Sequence, residues 1–331
     1  MFWYDSRMRL SIRLAPPGAR PVDVVGVGLN SMDLVVHVDT FPVVDSKQEA
    51  RCCAYLPGGQ TATALVACAR QGWRTRYVGR FGDDVHGVAS RESLAHEGVD
   101  VTAAMHVPDV ANQFAVIVVD AATGSRTIMW QRDARLDMTP GDVSPAVVRS
   151  GRILLVDCHQ TEVAVTAARL ARDAGIPTIV DVEKDRPHVH ELLRHIDIII
   201  AAEALPGQLT GHGSLGVALE AMAREFNPLA ICVTLGAEGS LTRSQGREIH
   251  VPARQGVPVV DTTGAGDAFR GGFIAGWLAA GDEAVLEDVL DWATATAALK
   301  CRALGARTAI PDRRQVEDLL GRPASGVGAP G

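Results

Sequence analysis

The stretch Val257-Pro-Val-Val-Asp-Thr-Thr-Gly-Ala-Gly-Asp-Ala-Phe269 decides how the chain is read. β-Branched residues lead to Asp261, a glycine-rich turn follows, and a long apolar segment begins behind it. The pattern predicts a short strand ending at Asp261 and a helix over 264–280. Phe269, Phe273 and Trp277 recur every four residues and give that helix a stripe to bury. Gly264 and Gly266 let the backbone turn tightly and come close to a ligand. The unpaired amides of the first helical turn, together with the helix dipole, then form an anion site.

An anion site alone has no use for a carboxylate, yet Asp267 falls within that first turn. Beside a bound phosphate, a carboxylate can take the proton of an attacking hydroxyl. The amides of Gly264, Ala265 and Gly266 would meanwhile stabilise charge on the transferring phosphoryl group. The plain alternative is an acid that merely favours the dipole, worth ~0.3–1 kcal/mol. Other nucleotide motifs fail. No G-x-x-x-x-G-K-[ST] occurs, which excludes a P-loop. Gly26-Val-Gly28-Leu-Asn-Ser31 has the first two glycines of a dinucleotide fingerprint but a serine at the third, a weak signal.

Working outward, apolar β-branched runs at 22–27, 153–156, 178–182, 197–201 and 229–234 alternate with helical patterns at 61–71, 85–96, 162–174, 215–226, 264–280 and 283–301. Strands that are apolar throughout, with helices between them, predict an α/β fold whose mostly parallel central sheet is covered by helices on both faces. Two stretches break the rhythm. Residues 34–38 and the segment running to 55 lack an intervening helix. A hairpin pattern surrounds Asp120-Ala-Ala-Thr-Gly124, with arms at 114–119 and 126–130. Together, about 34–56 and 112–131 predict a small β-sheet lid over the carboxyl ends of the main strands, where open α/β sheets bind ligands. The alternative is an edge extension of the main sheet.

Composition narrows the classes. The chain has 331 residues, 47% hydrophobic and 21% charged, with a net charge of −7. That charge argues against general affinity for nucleic acid or an anionic membrane. No run approaches the ~18 apolar residues that span a bilayer. Cys52, Cys53, Cys68, Cys158, Cys232 and Cys301 form no C-x-x-C pair and read as reduced thiols of a cytoplasmic protein. Residues 1–20 carry no secretory signal pattern and read as a loose leader. Residues 21–322 read as one domain, and 323–331, rich in Pro, Gly and Ala, as a loose tail.

The chain resembles the PfkB (ribokinase-like) carbohydrate kinases over roughly residues 22–320. Asp261 to Phe269 is similar to the family's C-terminal signature; Gly58-Gly59 and the helix after it, with Gly79-Arg-Phe-Gly-Asp-Asp-Val-His-Gly87, are similar to the N-terminal one. The resemblance implies an ATP-dependent sugar kinase with Asp267 as base. It implies sugar contacts from Asp33, Gly59, Gln60 and Thr63. It places nucleotide contacts at Thr234, Gly236 and Gly239 in Val233-Thr-Leu-Gly-Ala-Glu-Gly239, and at Thr263. Asp181-Val-Glu-Lys-Asp-Arg186 and Arg126 resemble ketohexokinases, which implies Lys184 near the phosphates and Arg126 at the substrate. Ala297-Ala-Leu-Lys-Cys301 resembles sulfofructose kinases. For Asp33 the alternative is a turn residue, and for Arg126 and Lys184 a solvated charge.

Mg²⁺ is implied as the partner of ATP, with a monovalent cation as a further candidate. The chain departs from the family's Asn-x-x-Glu motif, however, with Ala202 and Leu205 at those positions, and Glu183 is the substitute candidate for the metal. The implied substrate is a ketose or sugar derivative, with Arg126, Arg132 and Arg135 available to a distal anion. The alternatives are a nucleoside kinase of the same family, for which Trp130 has no evident stacking partner in the sequence, and a catalytically silent sugar- or nucleotide-binding regulator. The resemblance also implies a homodimer formed through the lid.

Overall fold

The computed structural model of the chain describes residues 7–322. The strands, in chain order, are β1 (Val24–Val27), β2 (Ser31–Val38), β3 (Cys52–Gly58), β4 (Thr75–Val78), β5 (Arg80–Gly82), β6 (Met105–Val107), β7 (Phe114–Asp120), β8 (Arg126–Gln131), β9 (Ile153–Asp157), β10 (Thr178–Val182), β11 (Ile198–Ala202), β12 (Ala230–Thr234), β13 (Ser240–Ser244) and β14 (Arg247–Val251). The helices are α1 (Gln60–Arg70), α2 (Val85–His96), α3 (Pro145–Val148), α4 (Thr161–Asp173), α5 (Val189–Leu193), α6 (Leu205–Thr210), α7 (Leu215–Phe226), α8 (Ala265–Ala280), α9 (Leu286–Lys300) and α10 (Arg313–Leu319).

The main sheet has the order β14-β13-β12-β11-β10-β9-β1-β4 and is parallel from β4 to β12, closed at one edge by the antiparallel pair β13–β14. Its strands are apolar on both faces because each face carries its own core. One core packs α1, α8 and α9 residues such as Leu65, Phe273 and Leu290; the other packs α4 and α7 residues such as Val163 and Met222. The strand order reverses between β1 and β9, which opens a crevice at their carboxyl ends. Asp157 ties that crevice together: its carboxylate accepts the Leu29 amide at 2.6 Å and the Thr61 hydroxyl at 2.8 Å.

A second sheet, β3-β2-β7-β8, stands apart from the first and does not extend it. β2 pairs antiparallel with β3 and parallel with β7, so the two expected strand pairs merge into one four-stranded sheet. Alternation along β7 buries Ala115, Ile117 and Val119 beneath it.

Three expectations are corrected. Residues 257–261 are irregular, not a strand: the Val260 and Asp261 amides donate to the Cys301 carbonyl at 2.8 and 3.2 Å and not to a neighbouring strand. Helix α8 buries nearly every side from Ala268 to Leu278 rather than one stripe. It lies between α1 and α9, where Gly272 allows close approach: a Cβ there would meet Thr296 Cβ at 2.6 Å. The expected loose leader gives way over residues 8–14. Met8, Leu10 and Leu14 are buried in the core, and the backbone of Met8 and Leu10 bonds to Leu286 and Ala284. The expected tail at 323–331 lies outside the described residues.

Candidate active site

Local geometry begins with Gly264, the N-cap of α8, at φ 74° and ψ 6°. That left-handed conformation is strained for any side chain, and a Cβ would also sit 2.8 Å from Ala306 Cα. The turn before it is held by the Asp261 carboxylate, which accepts the Thr263 amide at 2.8 Å and the Gly305 amide at 2.7 Å. Gly264, Ala265 and Gly266 consequently border a cavity of about 830 Å³, and Asp267 reaches it from the first turn of α8.

Asp267 is only partly exposed, and burial raises its carboxyl to about 7, with the Glu183 carboxylate pushing the same way and Arg270 and Arg126 opposing. A carboxylate in that range is poised to accept a proton at neutral pH. Arg270, one turn on, is buried and forms an ion pair with the equally buried Asp181, Nη2 to Oδ1 at 2.6 Å. Arg126 hangs from β8 and donates to the Thr262 hydroxyl at 2.8 Å, which places its charge at the rim of the same turn.

Asp33, Gly59, Gln60 and Gln113 line the same cavity. Asp33 projects from β2 and is raised to about 6 by burial, against the stabilising Ser31 hydroxyl at 2.8 Å and the charge of Arg307. Gln60 Nε2 is buried without a hydrogen-bond partner. Thr63, by contrast, does not reach the cavity. It is fully buried one turn along α1, where its hydroxyl accepts from Arg307 Nε at 3.3 Å. Arg307 also donates to the Gly58 carbonyl, so it ties the end of β3 to the chain after α9.

Thr234 ends β12 at the carboxyl edge of the sheet, Gly236 and Gly239 follow it, and all three line the cavity with Glu183, Lys184 and Thr263. Thr263 Oγ1 is buried and unpartnered. The cavity therefore joins two regions, one with Asp33 and one with the turn after β12, and Asp267 with the α8 amides borders both.

A carbohydrate-kinase family model, pfkB, matches residues 22–313. The chain belongs to the pfkB family of carbohydrate kinases. A ribokinase of Arabidopsis thaliana is 30% identical over 322 residues, covering 92% of this chain and 81% of that protein. Its solved structure, complexed with ribose and ATP, superimposes with a TM-score of 0.77 at 29% identity, over 90% of this chain and 98% of that one. A fructokinase of Klebsiella pneumoniae is 32% identical over 290 residues, covering 80% of this chain and 92% of the relative.

Against the pfkB pattern, the structure puts Ala202 at the cavity wall and buries Leu205 completely, so neither position supplies a carboxylate. Among the described residues no group of three His, Cys, Asp or Glu side chains could cage a metal. Glu183 is the exposed carboxylate at the cavity, which fits a Mg²⁺ ion held mainly by phosphate oxygens and water.

Several pfkB-site features escaped the sequence reading. Arg270 and Asp181 are 89 positions apart, and Arg307 follows Gly305 with no motif of its own. Trp130 meets His159 edge-on across the cavity, ring centroids 5.9 Å apart, a contact between β8 and the end of β9. Nor do the other flap arginines serve the cavity. Arg132 is spent on Gln113, Asp137 and the Leu136 carbonyl, and Arg135 pairs with Asp133. No disulfide joins the described cysteines; Cys52 and Cys53 are exposed and the other four buried. No described helix is long and apolar enough to cross a membrane.

Proposed function

We propose that this pfkB kinase transfers the γ-phosphoryl group of ATP to a primary hydroxyl of a ketose or sugar derivative. One observation carries the reading: Asp267, raised to about 7, stands at the glycine-rich N-terminus of α8 in the same cavity as Asp33. Asp33 and Gln60 accept and donate hydrogen bonds to the sugar hydroxyls, with Gly59 beside them. Asp267 removes the proton from the attacking hydroxyl as the Gly264, Ala265 and Gly266 amides stabilise the transferring group. Thr234, Gly236, Gly239 and Thr263 hold the nucleotide, with Lys184 and Arg126 facing the phosphates and the substrate respectively. Mg²⁺ supplies charge neutralisation on the phosphates, and Glu183 is the side chain that would face it. A silent binder has no use for a carboxylate so poised.

The nucleoside alternative is favoured by one observation, the Trp130–His159 pair in the cavity, an aromatic surface on which a base can rest. ADP release measured against ketoses, ribose, phosphorylated or sulfonated sugars and adenosine separates the readings. Adenosine as the best substrate by about tenfold, or ~1.4 kcal/mol, overturns the ketose reading and leaves the kinase standing. No turnover on any of them overturns the kinase.

The lid also supports a dimer. Every residue of β8 is exposed, including Ile128, Met129 and Trp130, and an apolar edge strand with one side unpaired invites a partner. A second copy of the chain, lid against lid, would cover it. Light scattering showing a monomer at micromolar concentration, with and without sugar, counts against this assembly.

A further inference from the structure

Lys300, the last residue of α9, is completely buried. Its ammonium donates to the Asp261 carbonyl at 2.9 Å, and among the described residues it has no ion pair with a carboxylate. The Asp261 carboxylate, the nearest candidate, is already occupied by the Thr263 and Gly305 amides. Burial pulls the Lys300 pKa below its ordinary value, and the Asp261 and Asp267 charges oppose that. A cation buried this way is costly, and packing alone would be served better by Leu or Met.

We propose that Lys300 is a built-in monovalent cation that holds the Asp261 peptide and thereby sets the anion hole, a positioning residue for phosphoryl transfer; the inference rests on the kinase reading above. The Asp261 carbonyl and the Thr262 amide belong to one peptide unit, so an ammonium on the carbonyl fixes the plane of that unit and polarises its N–H. Three residues on, Gly264 starts α8. The turn is thus clamped from one side by Lys300 and from the other by the Gly305 amide on Asp261, with Ala306 against Gly264. A fixed positive charge behind the turn adds to the helix dipole that faces the phosphoryl group. The ammonium already supplies a monovalent positive charge at the Asp261 carbonyl, so on this reading the monovalent cation left open by the sequence is not required.

The test uses the full-length enzyme, ATP and its best acceptor, in a buffer whose only monovalent cation is tetramethylammonium, then with added Na⁺, K⁺ or ammonium. Wild-type turnover is expected to be indifferent to the added cation. Lys300→Met, of similar length but neutral, is expected to lose about 10–100-fold in kcat through misplacement of the turn, with the sugar KM retained. In Lys300→Ala the vacated space should admit ammonium or methylammonium, which then restore part of kcat. Wild-type turnover that depends on K⁺, a folded Lys300→Met enzyme with wild-type kcat, or a loss confined to the sugar KM overturns the inference. So does a folded Lys300→Ala enzyme that no small ammonium rescues. Should that variant fail to fold, the Met variant and the wild-type cation series still decide. A wild type inactive on every acceptor refutes the kinase reading itself, whereas an active wild type beside an unimpaired Lys300→Met refutes only the role of Lys300.

Discussion

Arg270 and Asp181 form a buried ion pair directly behind Asp267, with 2.6 Å between Nη2 and Oδ1 and both side chains almost wholly withdrawn from solvent. Asp181 is the last residue but one of the central strand β10 and Arg270 lies in the second turn of α8, so the pair fastens the helix to the sheet where the candidate base sits. Removing one partner strands a charge in the interior. Arg270→Met and Asp181→Asn are each expected to destabilise the protein by about 3–5 kcal/mol in urea unfolding. Replacing both with apolar residues should recover much of that loss. Equal, additive losses in the double variant would show that the two residues act independently.

Because Arg270 also lowers the Asp267 pKa, its removal should move catalysis along the pH axis. The wild-type kcat/KM is expected to fall with unit slope as pH drops below about 7, where Asp267 takes up a proton and ceases to be a base. Asp33, raised to about 6, titrates next and should steepen the fall below that point. Both carboxyls are raised, so both limbs lie on the acid side and activity is gained as pH rises. In Arg270→Met the upper limb should shift to higher pH. A wild-type profile flat down to pH 5 would falsify a carboxylate base held at this position.

Asp267→Asn keeps the shape of the side chain and removes the base. Turnover should fall by at least about 10²–10⁴-fold, while calorimetric binding of sugar and ATP changes little. Turnover close to wild type would reassign the base.

Asp33→Ala deletes an acceptor from the sugar side of the cavity. Two charge-assisted hydrogen bonds at ~1.5–3 kcal/mol each predict a loss of about 10²–10⁴-fold in kcat/KM for the preferred sugar. The effect should be absent for binding of ATP alone. An unchanged kcat/KM removes Asp33 from the sugar site.

Gly264→Ala puts a Cβ on a left-handed residue and drives it toward Ala306. The strain is expected to cost about 1–3 kcal/mol in thermal or urea unfolding and to lower kcat more than KM. Gly213→Ala, in open space with nothing near its Cβ, provides the control.

Much of the candidate site was legible in local chemistry. Asp267 could be found because a glycine turn, a helix start and a carboxylate are all encoded within a few neighbouring residues. Asp33, Gly59 and Gln60 could be carried over for the same reason, since each sits in a short recognisable segment that the cavity does bring together with Asp267. Thr63 shows where that stops. It lies in the same segment but points into the core toward Arg307, an orientation set by helical phase and by a loop 244 residues away.

The sequence alone determined the alternation of strands and helices, the helix that opens at Gly264 and the glycine-rich turn and carboxylate at its N-terminus, because propensity, periodicity and turn requirements act over a few residues. Only the tertiary structure decided that residues 257–261 hang from the Cys301 carbonyl instead of forming a strand, and that β2, β3, β7 and β8 join one small sheet. It alone paired Arg270 with Asp181, set Trp130 against His159 and brought the Lys300 ammonium to the Asp261 carbonyl. Each of those contacts joins residues distant along the chain. Their energies come from burial and from partners that exist only once the layers have packed, so no local pattern announces them.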